Sequence, residues 1–235
     1  MYTNLKNSLP LLASAVALLS APALRSQTLS FDVDIVTSAL GTQDAANAPF
    51  DLDFQLNYGN SSLATNTATL SNFQLTGGSA VGSAVASGSA TGNLGGAVTL
   101  TASAAHPSNE LYQQFSSGVT NIQFTATITE TGPDIGIPTE FTASILDNSL
   151  GSPAQLFTTA PDTASLVTLD LNSANTLANV GAYTSVSSAD GNTPVTGVTA
   201  TITPIPEPST TAAMIGAAAA LFAFCARRFG RVQNA

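Results

Sequence analysis

The sequence predicts an all-β fold, a jelly-roll-like or Ig-like β-sandwich, with an N-terminal signal helix and a C-terminal transmembrane helix. Three observations carry that reading. Short runs through the middle of the chain alternate apolar and polar residues with period two, the signature of strands with one buried face. Gly, Asn and Pro separate those runs, and Thr and Val are frequent within them. The long apolar stretches without an acidic residue lie at the two ends.

At the N-terminus, a polar start carrying Lys6 precedes an apolar core over residues 9–19 (LPLLASAVALL), and Ala21-Pro22-Ala23 then offers a small-x-small cleavage site. Residues 1–26 are therefore expected to be a signal peptide, cut after Ala23 or after Ser26. The body follows as one expected β-sandwich domain, residues 27–204, long enough for a core of its own.

Within it, residues 27–40 alternate Leu29, Phe31, Val33 and Ile35 against Ser30, Asp32 and Asp34. The run Phe50, Leu52, Phe54, Leu56, Tyr58 is the cleanest, with Asp51, Asp53, Gln55 and Asn57 on the opposite, solvent-facing side. Residues 65–76 read as a strand whose phase changes near Asn72, which suggests a bulge. Residues 77–96 are rich in Gly, Ser and Ala and fit either a flexible loop or a small-residue strand. A short strand is expected over residues 97–103. Residues 105–117 look least like a strand: Pro107 and Ser108 could open a helical turn, with Leu111 and Phe115 four apart. Alternation returns at residues 118–131, 139–146 and 165–171, weakly at 179–187, and finally at 194–204. About nine to eleven strands are expected, with no fixed-period repeat.

The tail has three parts in order: the rigid motif Pro206-Glu207-Pro208-Ser209, an apolar span over residues 210–226, and the cluster Arg227, Arg228 and Arg231. Residues 211–226 would make a helix of about 24 Å, short against a hydrocarbon core of about 30 Å. Thr210 can extend it and the arginines can snorkel. The arginines favour the cytoplasmic side, which places the body outside. Cys225, the sole cysteine, lies in this span and reads as an apolar filler.

Motif, span and basic cluster together at residues 205–231 make the tail resemble a PEP-CTERM protein-sorting domain. The resemblance implies an exosortase-type membrane protease as partner, cleavage near Pro206-Glu207-Pro208 and delivery of the body to the cell surface, often in association with exopolysaccharide or biofilm matrix. The two prolines hold the motif extended, as a protease substrate must be. The body is similar to a recurring body type among such proteins, through Phe50-Asp51-Leu52-Asp53-Phe54, through residues 66–73 (NTATLSNF) and through Phe141 to Asp147. That second resemblance implies no assigned activity.

Charge narrows the functions. All five basic residues (Lys6, Arg25, Arg227, Arg228, Arg231) lie in the end segments, while 13 of the 14 acidic residues lie between Gln27 and Ile205. The body thus carries a formal charge near −13, counted as 13 carboxylates and no Lys or Arg. Nucleic-acid binding, which rests on Lys and Arg neutralising phosphates, is excluded, and so are Arg clamps on anions.

Catalysis is thinly supplied. His106 is the only histidine and reads as a surface residue, and no G-x-S-x-G elbow surrounds any serine. Paired carboxylates for glycoside hydrolysis could come from Asp32, Asp34, Asp51, Asp53, Glu110, Glu130, Glu140 or Asp147. Calcium is the cofactor to consider: it needs six to eight oxygens, and Asp32/Asp34 could meet Asp51/Asp53 on adjacent strands, with Glu130, Asp134 and Asp147-Asn148 as loop-edge donors. Carbohydrate contact would fall to Tyr58, Tyr112 and Tyr183, in the absence of any Trp.

The expectation is a non-enzymatic, exported acidic surface or matrix protein, anchored transiently in the inner membrane before it reaches the cell surface or medium. The alternatives are a carbohydrate-binding module with or without calcium, then a polysaccharide hydrolase.

Overall fold

Alternation becomes strand wherever it is cleanest. The computed structural model describes residues 27–59, 65–130, 139–161, 164–171 and 177–206. The expected signal helix (1–26), the Glu207-Pro208-Ser209 part of the sorting motif, the apolar span and the arginines lie outside the described residues, as do Asp134 and Cys225. Among the described residues no helix is long and apolar enough to cross a membrane. Pro206 is exposed at the end of the described body.

The described residues are mostly strand, arranged as antiparallel sheets consistent with a β-sandwich. Strand β1 (Gln27–Val36) buries Phe31, Val33 and Ile35 and pairs with β8 (Asn121–Glu130) and β15 (Thr199–Ile205). With β3 (Asn66–Thr76), β6 (Val98–Ala102) and β5 (Ala90–Gly92) they form a six-stranded sheet ordered β15-β1-β8-β3-β6-β5. Pro204 sits on β15, an edge strand, where a missing N–H leaves no ladder bond unmade. The second sheet runs β13 (Leu177–Ala182), β12 (Val167–Leu171), β9 (Thr139–Asp147), β2 (Phe50–Asn57), β7 (Ser108–Phe115), β4 (Val85–Ser87), and β10 (Ala154–Gln155) adds to β9. A small pair, β11 (Phe157–Thr158) with β14 (Ser185–Ser187), lies apart.

One apolar cluster draws on both sheets. At its middle the Phe54 ring lies 5.3 Å from Phe124 edge-on, 5.9 Å from Phe73 and 6.3 Å from Phe141. Such pairs add about 0.5–1.5 kcal/mol each to simple burial. Phe124 and Phe73 come from one sheet, Phe54 and Phe141 from the other, so these rings join the two layers.

The expected bulge is present. Register between β3 and β8 shifts between Ser71 and Gln74, and Asn72 takes φ of 58°, the left-handed region Asn tolerates better than most residues. The Gly-rich stretch resolves into two short edge strands: β4 joins the seven-stranded sheet and β5 the six-stranded one. Gly88 turns the chain between them at φ of 65°, where a Cβ would meet the Ser108 carbonyl oxygen at 2.5 Å.

Three expectations need correction. Residues 108–115 form strand β7 and no helical turn. Asn109 and Gln113 occupy its inward positions and hide the alternation. Fifteen strands are described against the nine to eleven expected, the surplus being pieces of two or three residues such as β10 and β11. The weak strand at 179–187 is two, β13 and β14. Between β1 and β2 a short helix α1 (Leu40–Gln43) and a 3₁₀ turn (Ala45–Asn47) carry the chain to the opposite sheet.

Candidate functional site

Strand β2 is central in its sheet, between β7 and β9. Its inward side chains Phe50, Leu52, Phe54 and Leu56 are all 0% exposed. Its outward side was expected to be solvated. Instead Asp51 is 2% and Asp53 1% exposed. The cover comes from distant residues: Asp53 stands opposite Tyr112 on β7 and Ser144 on β9, and Asp51 opposite Gln114 and Leu146. Beyond β9, strand β10 and the residues before it rise over this face. Together they shape a groove of about 490 Å³ lined by Asp53, Gln55, Glu110, Tyr112, Leu146 and residues 152–155.

Hydrogen bonding at Asp53 is lopsided. Its Oδ2 accepts from Gln55 Nε2 (2.9 Å) and Gln155 Nε2 (3.4 Å), while its Oδ1 is buried and has no partner. Gln55 Nε2 also donates to Glu110 Oε1 (3.3 Å), so two carboxyl groups share one amide. Burial pushes the Asp53 carboxyl up to about 7; the Gln55 bond opposes the rise, and the charges of Glu110 and Asp51 add to it. Burial alone raises Asp51 to about 6, and its Oδ2 also lacks a partner. Along the same face Asp170 on β12 is raised by burial, against a lowering bond from Asn179.

A second group of acids joins three loops. Asp147 is 0% exposed: its Oδ1 accepts from Ser149 N (3.0 Å) and Ser149 Oγ (2.7 Å), its Oδ2 from Ala189 N (3.0 Å). Asp44, 1% exposed, accepts from Asn47 Nδ2 at 2.7 Å. Burial raises Asp44 to about 6, with a smaller push from the charge of Asp147. Its Oδ2 is buried and has no partner. The neighbouring Asp190 is held low by donors from Ser188 and Asn192. Every donor around Asp147 is a loop hydroxyl or backbone N–H, so this cluster pins the end of β9 to the 188–193 turn.

The six-stranded sheet's outer face is different again. Asp32 is exposed and accepts from Thr125 Oγ1 (3.0 Å); Asp34 accepts from Asn121 and from Gln123 Nε2 (2.7 Å). They line a concavity of about 370 Å³ with Asn72, Gln74, Thr201 and Thr203. Asp32 is thus solvent-exposed and Asp34 half-buried.

The proposed meeting of Asp32/Asp34 with Asp51/Asp53 does not occur. β1 and β2 belong to opposite sheets, because the segment holding α1 crosses from one layer to the other, and the two acid pairs point to opposite outer faces. Among the described residues no three His, Cys, Asp or Glu converge as a metal would require. Of the described tyrosines, only Tyr112 lines the groove. Tyr58 packs partly buried against the core. His106 is exposed in the turn before β7. What sequence reasoning missed is Gln113 and Asn109, buried on β7: Gln113 takes Leu94 N–H (2.8 Å) and gives to Gly82 O (2.9 Å), and Asn109 takes Ser89 N–H at 2.6 Å. They tie the Gly-rich edge to the sheet. Also missed was Gln155, with no local pattern to announce it.

The chain matches no known family model, no curated protein and no solved structure.

Proposed function

We propose that this chain is an exported acidic surface or matrix protein, sorted by a PEP-CTERM-like tail through an exosortase-type membrane protease, whose β-sandwich associates with exopolysaccharide. The carrying observation is the segregation of charge: every Lys and Arg lies in the two end segments and none between Gln27 and Ile205. Cations confined to the ends are what transient membrane engagement requires, and a body of one sign stays soluble once released.

For the finer fold we favour the jelly-roll-like reading over the Ig-like one. The order β1-β8-β3-β6 in one layer and β2-β7-β4 in the other, with the chain passing back and forth between layers, is how two interleaved Greek keys run.

The groove supports binding over hydrolysis. Asp53 and Glu110 are the carboxyl pair a glycosidase would need, but Gln55 Nε2 is bonded to both and occupies the space between them where a scissile bond would lie. Glycan binding at this groove is therefore the reading of the body that its geometry favours.

The test of sorting is cell fractionation of the wild type and of a variant with Pro206, Glu207 and Pro208 replaced by alanine. The wild type is expected at the surface or in the medium with a shortened C-terminus, and the variant in the inner membrane at full length. Identical distribution and length of the two would remove the sorting proposal.

A further inference from the structure

We infer that the groove over β2, β7 and β9 is a binding site for a cationic, amine-bearing glycan, with the ammonium seated at Asp53 and Glu110. This deepens the glycan-binding reading and rests on it.

An acidic cluster alone would not define a site. Here one member, Asp53, is 1% exposed, lines the groove and leaves an oxygen without any partner. A buried carboxyl in that state costs about 1–3 kcal/mol unless something completes it. Elsewhere in proteins a Lys or Arg would do so. This body contains neither, so a counter-charge would have to come from outside it.

The surroundings indicate what kind of cation. A metal ion would need several more oxygens with free lone pairs. The side-chain amides of Gln55 and Gln155 instead direct N–H groups at Asp53, and Glu110 brings only one further carboxylate. An ammonium needs two or three acceptors and no closed shell. Around it Tyr112, Ser152 and the Gln55 and Gln155 amides can exchange hydrogen bonds with hydroxyls, while Leu146, Pro153 and Ala154 offer apolar surface to the C–H face of a sugar ring. Ammonium, hydroxyls and an apolar ring face occur together in an amino sugar.

The groups facing the ammonium would be Asp53 on β2 and Glu110 on β7, with Tyr112 beside them and Asp51 one step along β2. β9 and β10 present only uncharged side chains there, Ser144, Leu146, Ala154 and Gln155. Seating a cation at this pair would favour release of a proton still held by Asp53, so binding should be accompanied by proton release below neutral pH.

The experiment is titration calorimetry on the full-length chain at pH 6.5, with a glucosamine tetramer, an N-acetylglucosamine tetramer and calcium chloride as separate probes. The glucosamine tetramer is expected to bind at one site and the acetylated one at least tenfold more weakly. Asp53→Asn and Glu110→Gln should each weaken the amine at least tenfold. Asp32→Asn removes the same charge from the opposite sheet and should leave affinity within twofold. Circular dichroism before titration checks that each variant is folded, and Glu110→Gln carries the test should Asp53→Asn fail that check.

Equal losses in all three variants would mean diffuse attraction to an acidic body and would overturn the site. Equal binding of both tetramers would retain glycan binding and overturn the ammonium. Binding of calcium in competition with the glucosamine tetramer would assign the acids to a metal instead. No heat from either tetramer would end both the inference and the glycan-binding reading, while leaving sorting to the fractionation result.

Discussion

Two pentapeptides of this chain are nearly the same, Phe31-Asp32-Val33-Asp34-Ile35 on β1 and Phe50-Asp51-Leu52-Asp53-Phe54 on β2. Each lies inside its sheet, with a partner strand on both sides and its apolar residues in the common core. Their carboxylates meet opposite fates. On β1, Asp32 is exposed and Asp34 half-buried, and they take hydroxyl and amide donors from β8. On β2 they are shut under side chains from β7, β9 and β10, with an oxygen unpartnered on each. Alternation therefore tells which side chains turn away from the core. It does not tell whether anything lies above them.

The largest expected effect separates the two strands on their inner side. Phe54 meets three other rings across the layers, whereas Phe31 lies toward the β15 edge of the core. Phe54→Ala should cost about 3–5 kcal/mol in urea denaturation and Phe31→Ala distinctly less. Equal losses would mean that the aromatic cluster is not the joint between layers.

Next comes pH. The carboxyls of Asp44 and Asp51 are raised to about 6 and that of Asp53 to about 7, against about 3.9 for Asp in the unfolded chain. Between those values the native state holds protons that the unfolded state has released. Stability then falls as pH rises through roughly 4 to 7. Repulsion within a body of one charge sign acts in the same direction. Thermal unfolding should therefore give a Tm several degrees higher at pH 5 than at pH 8. A Tm that is flat or higher at pH 8 would contradict the burial of these acids.

The smallest effect tests the outer faces directly. At pH 8, Asp53→Asn removes a buried charge and should stabilise by about 1–2 kcal/mol, with a weaker pH dependence than the wild type. Asp32→Asn on the open face should stay within about 0.5 kcal/mol. Similar responses from the two would erase the distinction between the faces.

Much of the fold is legible in the residues because most strands bury one face only. β1, β2, β3, β8 and β9 are read from their alternation, and the bulge at Asn72 from its change of phase. β7 is not, since Asn109 and Gln113 occupy core-side positions. They can do so only because backbone groups at Leu56, Gly82, Ser89 and Leu94 satisfy them. The edge strands β4 and β5 carry small residues with no face to mark, so neighbours decide their pairing. Of the groove, Asp53 and Glu110 are visible as candidates, but Gln155 and Leu146 are not, being about a hundred residues from β2.

Strand periodicity, the single sign of the body's charge and the confinement of every cation to the ends are properties of residue order or composition and are read without a structure. That Asp32 is exposed and Asp34 half-buried, while Asp51 and Asp53 are enclosed, follows from the packing alone. Burial of a polar face depends on what the rest of the chain lays over it. Here that cover comes from the loop after β9 and from β10, whose placement follows from the order of strands in the sheet and from nothing within the five residues it conceals.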